Sequence, residues 1–195
     1  MRGARTRAAL LGVALATTLA LVSPGARADE VAVPVDLQIE LLGRVARYER
    51  GFARRSAEPV RVLVVVRSSS AESQRVAAQL TAAMARAHTL GGRTLVVTRH
   101  DYRNEGALGA VLARGGVDVL YVAAGLGDAV PAIVHAVGTR NVITVSAVGS
   151  DVDHGMVLGF ELAASRPQIA VNITHARTQQ LDFSAQLLRL ARVVR

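Results

Sequence analysis

Residues 60–70 read Val-Arg-Val-Leu-Val-Val-Val-Arg-Ser-Ser-Ser. The first seven are almost all β-branched, the pattern of a strand buried on both faces of a sheet. Such a strand has no solvent side, so other elements must cover both of its faces. Ser68-Ser69-Ser70 mark a turn, and the stretch from there to His88 carries Val76, Leu80 and Met84 on one helical stripe. Gly91-Gly92 stop that helix. The alternation continues. Thr94–Thr98 reads as a strand, and Glu105–Ala113 as a short helix closed by Gly115-Gly116. Val117–Ala123 is a third strand, Gly125-Leu126-Gly127-Asp128 opens a helix that runs to Val137, and Val142–Ser146 is a fourth strand. Strands alternating with helices predict an α/β domain with a parallel sheet and right-handed crossovers.

Outside this block the pattern differs. Asp29–Val35 is a short leader, and Asp36 to about Arg55 is expected to be one amphipathic helix. Leu37, Leu41, Val45, Tyr48 and Phe52 fall on one face, and Glu40 and Arg44 form an i,i+4 pair on the other. Pro59 ends the connection. Downstream, Met156–Leu162 and Gln168–Ile173 are extended runs joined by Ala-Ala-Ser-Arg-Pro, which predicts a hairpin. A turn of helix follows near His175–Gln179. Ser184 is a candidate N-cap for a last helix with Leu187, Leu188, Ala191 and Val194 inward. The expected fold is a single Rossmann-like or flavodoxin-like three-layer α/β domain. It has a mostly parallel sheet, an N-terminal amphipathic helix and a C-terminal β-hairpin plus helix.

The chain has 195 residues, 23 of them basic and 15 acidic, for a net charge of +8. It has no Cys, which excludes a disulfide scaffold and thiol chemistry. The excess charge is concentrated at the start. Residues 1–7 carry Arg2, Arg5 and Arg7, residues 8–22 are uncharged and mostly apolar, and Ala26-Arg27-Ala28 follows a Pro-Gly break. A basic segment, a short apolar run and a small-x-small site describe a secretory signal peptide over 1–28. The apolar run is shorter than the roughly 20 residues of a membrane-spanning helix. The domain then spans 29–195 and has 167 residues, with 19 basic and 15 acidic side chains. That +4 is an ordinary solubility charge, and the dispersed Arg residues without interleaved aromatics do not suggest a nucleic-acid partner.

No catalytic constellation stands out. His88, His100, His135, His154 and His175 show no metal-binding spacing, so no metal site and no cofactor are expected. Asp151-x-Asp153-His154 is dense in polar groups but reads first as a turn. Val145-Ser146-Ala147 lacks a nucleophile elbow. Two strand-to-helix loops are candidate ligand loops, Ser68, Ser69 and Ser70, and Gly125, Gly127 and Asp128. In open α/β sheets ligands favour the carboxyl ends of strands. Arg44, Arg47, Arg50, Arg54 and Arg55 crowd the first helix, either as a solvated face or as a docking surface for an acidic partner.

The C-terminal third carries Ile143-Thr144-Val145-Ser146, Gly155-Met156-Val157, Val171-Asn172-Ile173, Leu181-x-Phe183-Ser184 and Leu187-Leu188-x-Leu190-Ala191 in that order. Over residues 139–195 this resembles the YfiR family of secreted bacterial regulators. The chain departs from the family pattern at Ala147, where Asp is usual, and at His154, which replaces a Gly. The matched residues Asn172, Ser184, Leu187 and Leu188 have structural roles. The resemblance implies a periplasmic, non-enzymatic regulator. Such a regulator binds the periplasmic part of an inner-membrane signalling protein, such as a diguanylate cyclase, and restrains it. The candidate surface is the Arg face of the first helix (Arg44, Arg47, Arg50) with the hairpin region starting at His154, Gly155 and Met156. A homodimer, through the hairpin edge or the first helix, stays open. The rival reading is a periplasmic small-molecule-binding module, because residues 60–146 also look like one lobe of a substrate-binding protein.

Overall fold

The computed structural model describes residues 31–54 and 59–195. The expected signal peptide and Arg55 lie outside the described residues. Helices α1 (Val35–Arg47) and α2 (Arg50–Arg54) precede β1 (Val60–Val66) and α3 (Ala71–Ala87). Next come β2 (Thr89–Leu90), β3 (Arg93–Asp101), α4 (Glu105–Ala113) and β4 (Val119–Val122). A 3-10 turn at Gly127–Ala129 leads into α5 (Val130–Val137), followed by β5 (Ile143–Ser146) and a second 3-10 turn at Gly149–His154. The hairpin β6 (Leu158–Ala163) and β7 (Arg166–Asn172), then α6 (Ile173–Thr178), α7 (Ala185–Leu190) and β8 (Arg192–Val194) complete the chain.

The sheet order is β2-β3-β1-β4-β5-β6-β7-β8. β3, β1, β4 and β5 are mutually parallel, in the order of flavodoxin-like sheets. β6 joins β5 in parallel through Val145 and Leu158, and β7 runs antiparallel to β6. β1 fixes the layering. Val62, Val64 and Val66 enter a core with α1 and α3, while Leu63 and Val65 enter a second core with α4 and α5. This is the three-layer α/β architecture that the strand and helix rhythm predicts.

The hairpin turn is tighter than the sequence suggests. Ala164 and Ser165, at φ 48° and 62°, form its two central residues, so the strands extend closer to each other.

Three expectations need correction. The first helix is not continuous, because the chain turns a corner at Tyr48-Glu49 and restarts as α2. Glu49 is buried, and its carboxylate accepts hydrogen bonds from the amides of Gly51 (3.1 Å), Phe52 and Asp182 (3.0 Å). The bridge from Glu49 to Phe183 and the Ser184 amide on the Tyr48 carbonyl (3.0 Å) complete the corner. The last helix ends at Leu190, and Arg192–Val194 instead pair in parallel with β7. The outer edge of β7 offers unpaired backbone groups, and two successive Val residues favour extended backbone there. Finally, the β2–β3 hairpin lay hidden in a stretch read as a helix terminus and a glycine break. Thr89 and Leu90 pair with Thr94 and Arg93 around Gly91-Gly92.

Glu49→Ala leaves buried amides from two segments without acceptors. The expected loss is about 3 kcal/mol, measured by urea unfolding, with Glu40→Ala on the exposed face of α1 as the near-neutral control.

Candidate functional site

A groove of about 790 Å³ opens between α1, the β6–β7 hairpin and α7. Its α1 wall is Leu41, Val45 and Tyr48, spaced at helical steps on the side that faces the sheet. Its hairpin wall is Ala163, Pro167 and Ile169, and Leu187 and Leu190 of α7 close the third side. Leu190 is 67% exposed and Leu162, the cross-strand partner of Pro167, is 47% exposed. Arg44, Arg47 and Arg166 stand around this apolar floor. Arg44 pairs with Glu40. Among the described residues, neither Arg47 nor Arg166 has an acidic partner. Apolar floor with a charged rim is the composition of protein–protein interaction surfaces.

The local structure follows from buried polar anchors. Gln38 on α1 donates to the carbonyls of Val33 (2.8 Å) and Ala147 (3.2 Å) and accepts from the fully buried Tyr121 hydroxyl. Burial raises the Tyr121 phenol well above its usual range, so it acts only as a neutral donor. This network sets α1 on the sheet. At the other wall, Ser184 caps α7, its Oγ accepting from the Leu187 amide. Leu187 is buried and Leu188 packs half-buried against the same core.

The expected surface residues separate into two groups. Arg44 and Arg47 line the groove with the hairpin, whereas Arg50 pairs with Asp182 (3.0 Å) at the corner. His154 is exposed at the end of the 3-10 turn. Met156 is fully buried in the second core, so it offers nothing to a partner and is corrected to a packing residue. Gly155 is buried at φ 109°, where a Cβ would sit 3.1 Å from the His175 ring. Asn172 lies at the end of β7, buried. It caps α6 by accepting from the His175 amide (3.0 Å), and it donates to the Val152 carbonyl (3.0 Å).

The two candidate ligand loops meet at the carboxyl ends of β1 and β4, and their polar groups bond to neighbouring protein groups. The amide and hydroxyl of Ser68 bind Asp101 (2.8 and 2.6 Å), which lowers the Asp101 carboxyl below its usual range. Ser69 is exposed, and Ser70 caps α3 by accepting from the Ser73 amide (3.2 Å). A Cβ on Gly125 would lie 2.8 Å from the Ser70 hydroxyl, so the loops touch there. Arg67 reaches across to both oxygens of Asp128 (2.8 and 3.0 Å), beside Gly127 in the 3-10 turn. Asp151 is buried on the Ser146 hydroxyl, and Asp153 pairs with Arg192 (3.0 Å). Among the described residues no group of three His, Cys, Asp or Glu side chains could hold a metal ion. No helix among them is long and apolar enough to cross a membrane.

Sequence reasoning missed Glu49 and Arg166, both of which shape the groove. Arg166 carried a signal, as the one cation in the hairpin connection. Glu49 carried none, because its partners are amides on either side of the corner.

Solved structures share this fold. A conserved domain protein from Vibrio cholerae aligns at a TM-score of 0.59 and 13% identity, over 83% of this chain and 60% of that one. The ABC domain in complex with L-Trp from Streptococcus pneumonia aligns at 0.61 and 13%, over 83% and 60%. A substrate binding protein with adhesive properties from Clostridium difficile, in its ligand-free, open form, aligns at 0.58 and 14%, over 86% and 61%. The chain thus spans less than two thirds of each. At these identities the likeness is one of fold alone. The sequence supplies the family: the chain belongs to the YfiR/HmsC-like family, which matches residues 36–192. No curated protein matches it.

Asn172→Ala removes a helix cap and a buried donor together. The expected cost is about 2–3 kcal/mol, read from thermal or urea unfolding. Leu190→Ser, at the exposed rim of the groove, changes stability by less than about 0.5 kcal/mol.

Proposed function

We propose that this chain is an exported, non-enzymatic regulator that docks on the periplasmic part of an inner-membrane signalling protein, such as a diguanylate cyclase, and restrains it. Membership of the YfiR/HmsC-like family supports the regulatory class. The observation that carries the docking surface is the groove itself. It joins the Arg face of α1 to the β6–β7 hairpin, and it presents apolar side chains that the fold leaves uncovered. Leu162, Ile169 and Leu190 supply contact area, while Arg47 and Arg166 steer and select an acidic partner surface. Restraint then requires only that the docked partner be held in its inactive conformation, by an amount equal to the difference in affinity for its two states.

The second reading, a small-molecule-binding module, draws support from the meeting of the Ser68–Ser70 and Gly125–Asp128 loops at the β1/β4 switch point. Its signature is a thermal shift of the purified protein by a metabolite, abolished by Arg67→Ala.

The regulator reading is tested with purified periplasmic domains of membrane cyclases from the same genome. One of them binds, and the double reversal Arg47→Glu, Arg166→Glu weakens it by more than about tenfold, through a slower association rate whose salt dependence is altered. Both residues are exposed, so unfolding curves stay superimposable. Absence of binding to every such domain, or binding untouched by the double reversal, overturns the proposal.

A further inference from the structure

A histidine under α4 forms a second feature, independent of the groove. His100 on β3 lies in register with Val65 of β1, and Val65 belongs to the core covered by α4 and α5. Residues in register point to the same face of a sheet, so the His100 ring lies on the face that α4 covers. Its Nε2 is buried, and among the described residues no group forms a hydrogen bond with it. An imidazolium donates from both ring nitrogens. A proton added here therefore places a buried charge on a ring with one donor unanswered. Burial is the largest cause holding the ring below its ordinary titration range. Asp101 works in the other direction, but its carboxylate is already taken by the amide and hydroxyl of Ser68 (2.8 and 2.6 Å). Arg103, in the loop after β3, and Arg114, at the end of α4, both oppose the proton. Glu105, at the start of α4, is paired with His135 of α5, and Arg99 is bonded to Gln74 of α3. β1 offers only Val64, Val65 and Val66 beside this part of β3.

The helix above this ring is loosely held. α4 has nine residues, of which only Leu108 and Leu112 are buried. α3, on the other face, has 17 residues and buries six. Gly106 and Gly109 lie inside α4, where Gly weakens a helix relative to Ala. Packing requires neither of them. A Cβ at Gly109 has nothing within 4 Å, and one at Gly106 meets only the Asn104 side chain, at 3.6 Å. We infer that α4 is an acid-released flap, which protonation of His100 lifts from the sheet to uncover the core around Leu63 and Val65. The closed state holds the ring neutral, whereas an open α4 gives it water. The open state therefore binds the extra proton. The advantage of the closed state is complete above the ordinary imidazole range, about pH 6.5, and is lost as pH falls below it.

Amide exchange followed by NMR, corrected for the intrinsic rate at each pH, reads the opening of each helix separately. Between about pH 7.5 and 5, α4 is expected to lose protection at least about threefold while α3 keeps its own. His100→Phe, a ring of similar shape that does not titrate, abolishes the loss, and His135→Gln does not. The double variant Gly106→Ala, Gly109→Ala raises α4 protection at both pH values and leaves their ratio unchanged. Protection of α4 that is independent of pH, that falls equally in α3, or that falls as far in His100→Phe overturns the inference. If His100→Phe lacks the native circular dichroism, the wild-type ring decides. A His100 ring that titrates below the ordinary range, with the α4 amides following the same curve, supports the flap. A ring that titrates within or above that range overturns it.

Discussion

The structure depends on one constraint, that β1 is buried on both faces. Val62 and Val64 on one side and Leu63 and Val65 on the other must each be removed from water. Two helical layers follow, α1 and α3 on one face, α4 and α5 on the other. Cover over the central strands is complete, and their side chains are almost wholly inaccessible. It ends at the two margins. On the hairpin side α7 has only six residues and leaves Leu162 and Leu190 in water. On the far side Val96 stays exposed. The groove lies where a two-sided sheet outruns its helices.

The groove has its shape because α1 stops where it does. A helix continued through Tyr48-Glu49 would run past the corner that joins Glu49 to Asp182 and Phe183. Glu49 prevents this by collecting amides from its own corner and from Asp182. The same contact holds the segment that starts α7, so one buried side chain sets the distance between two groove walls. Burying a carboxylate is costly unless it is fully hydrogen-bonded. Here the bonds come from backbone amides that would otherwise be unsatisfied at a helix start and a loop.

What was legible in the sequence was what depends on near neighbours. The runs at Val60–Val66 and Val142–Ser146, the helix Glu105–Ala113 and the cap at Ser184 all follow from local pattern, and the structure contains each of them, the second strand starting at Ile143. Glu49 was illegible because its partner Asp182 lies 133 residues away. β8 was misread because Leu187, Leu188, Ala191 and Val194 also fit a helical period, and only the free edge of β7 decides between the two. Met156 was misread because a family motif gives identity but not depth. For the groove, each wall was legible alone, as an Arg-bearing helix and as a hairpin. Their meeting was not, since it depends on the crossover that brings β6 beside β5.

The usual ligand position of this fold and the groove compete for the same question, namely where binding energy can be gathered. At the β1/β4 switch point the polar groups already bond to one another, through Ser68 with Asp101, Ser70 with Ser73, and Arg67 with Asp128. The last pair is a weak latch. The Asp128 side chain is 71% exposed, and exposed ion pairs contribute about 0–1 kcal/mol. A ligand could open it at little cost, but these two loops alone would leave that ligand solvated on its outer side. Polar contacts made in water gain little over the water they replace. The groove differs because this chain supplies three of its walls, so an apolar side chain entering it is desolvated on several sides at once. Apolar burial scales with the area removed from water. A partner docked there gains contact energy that a small polar ligand held by the switch-point loops would not.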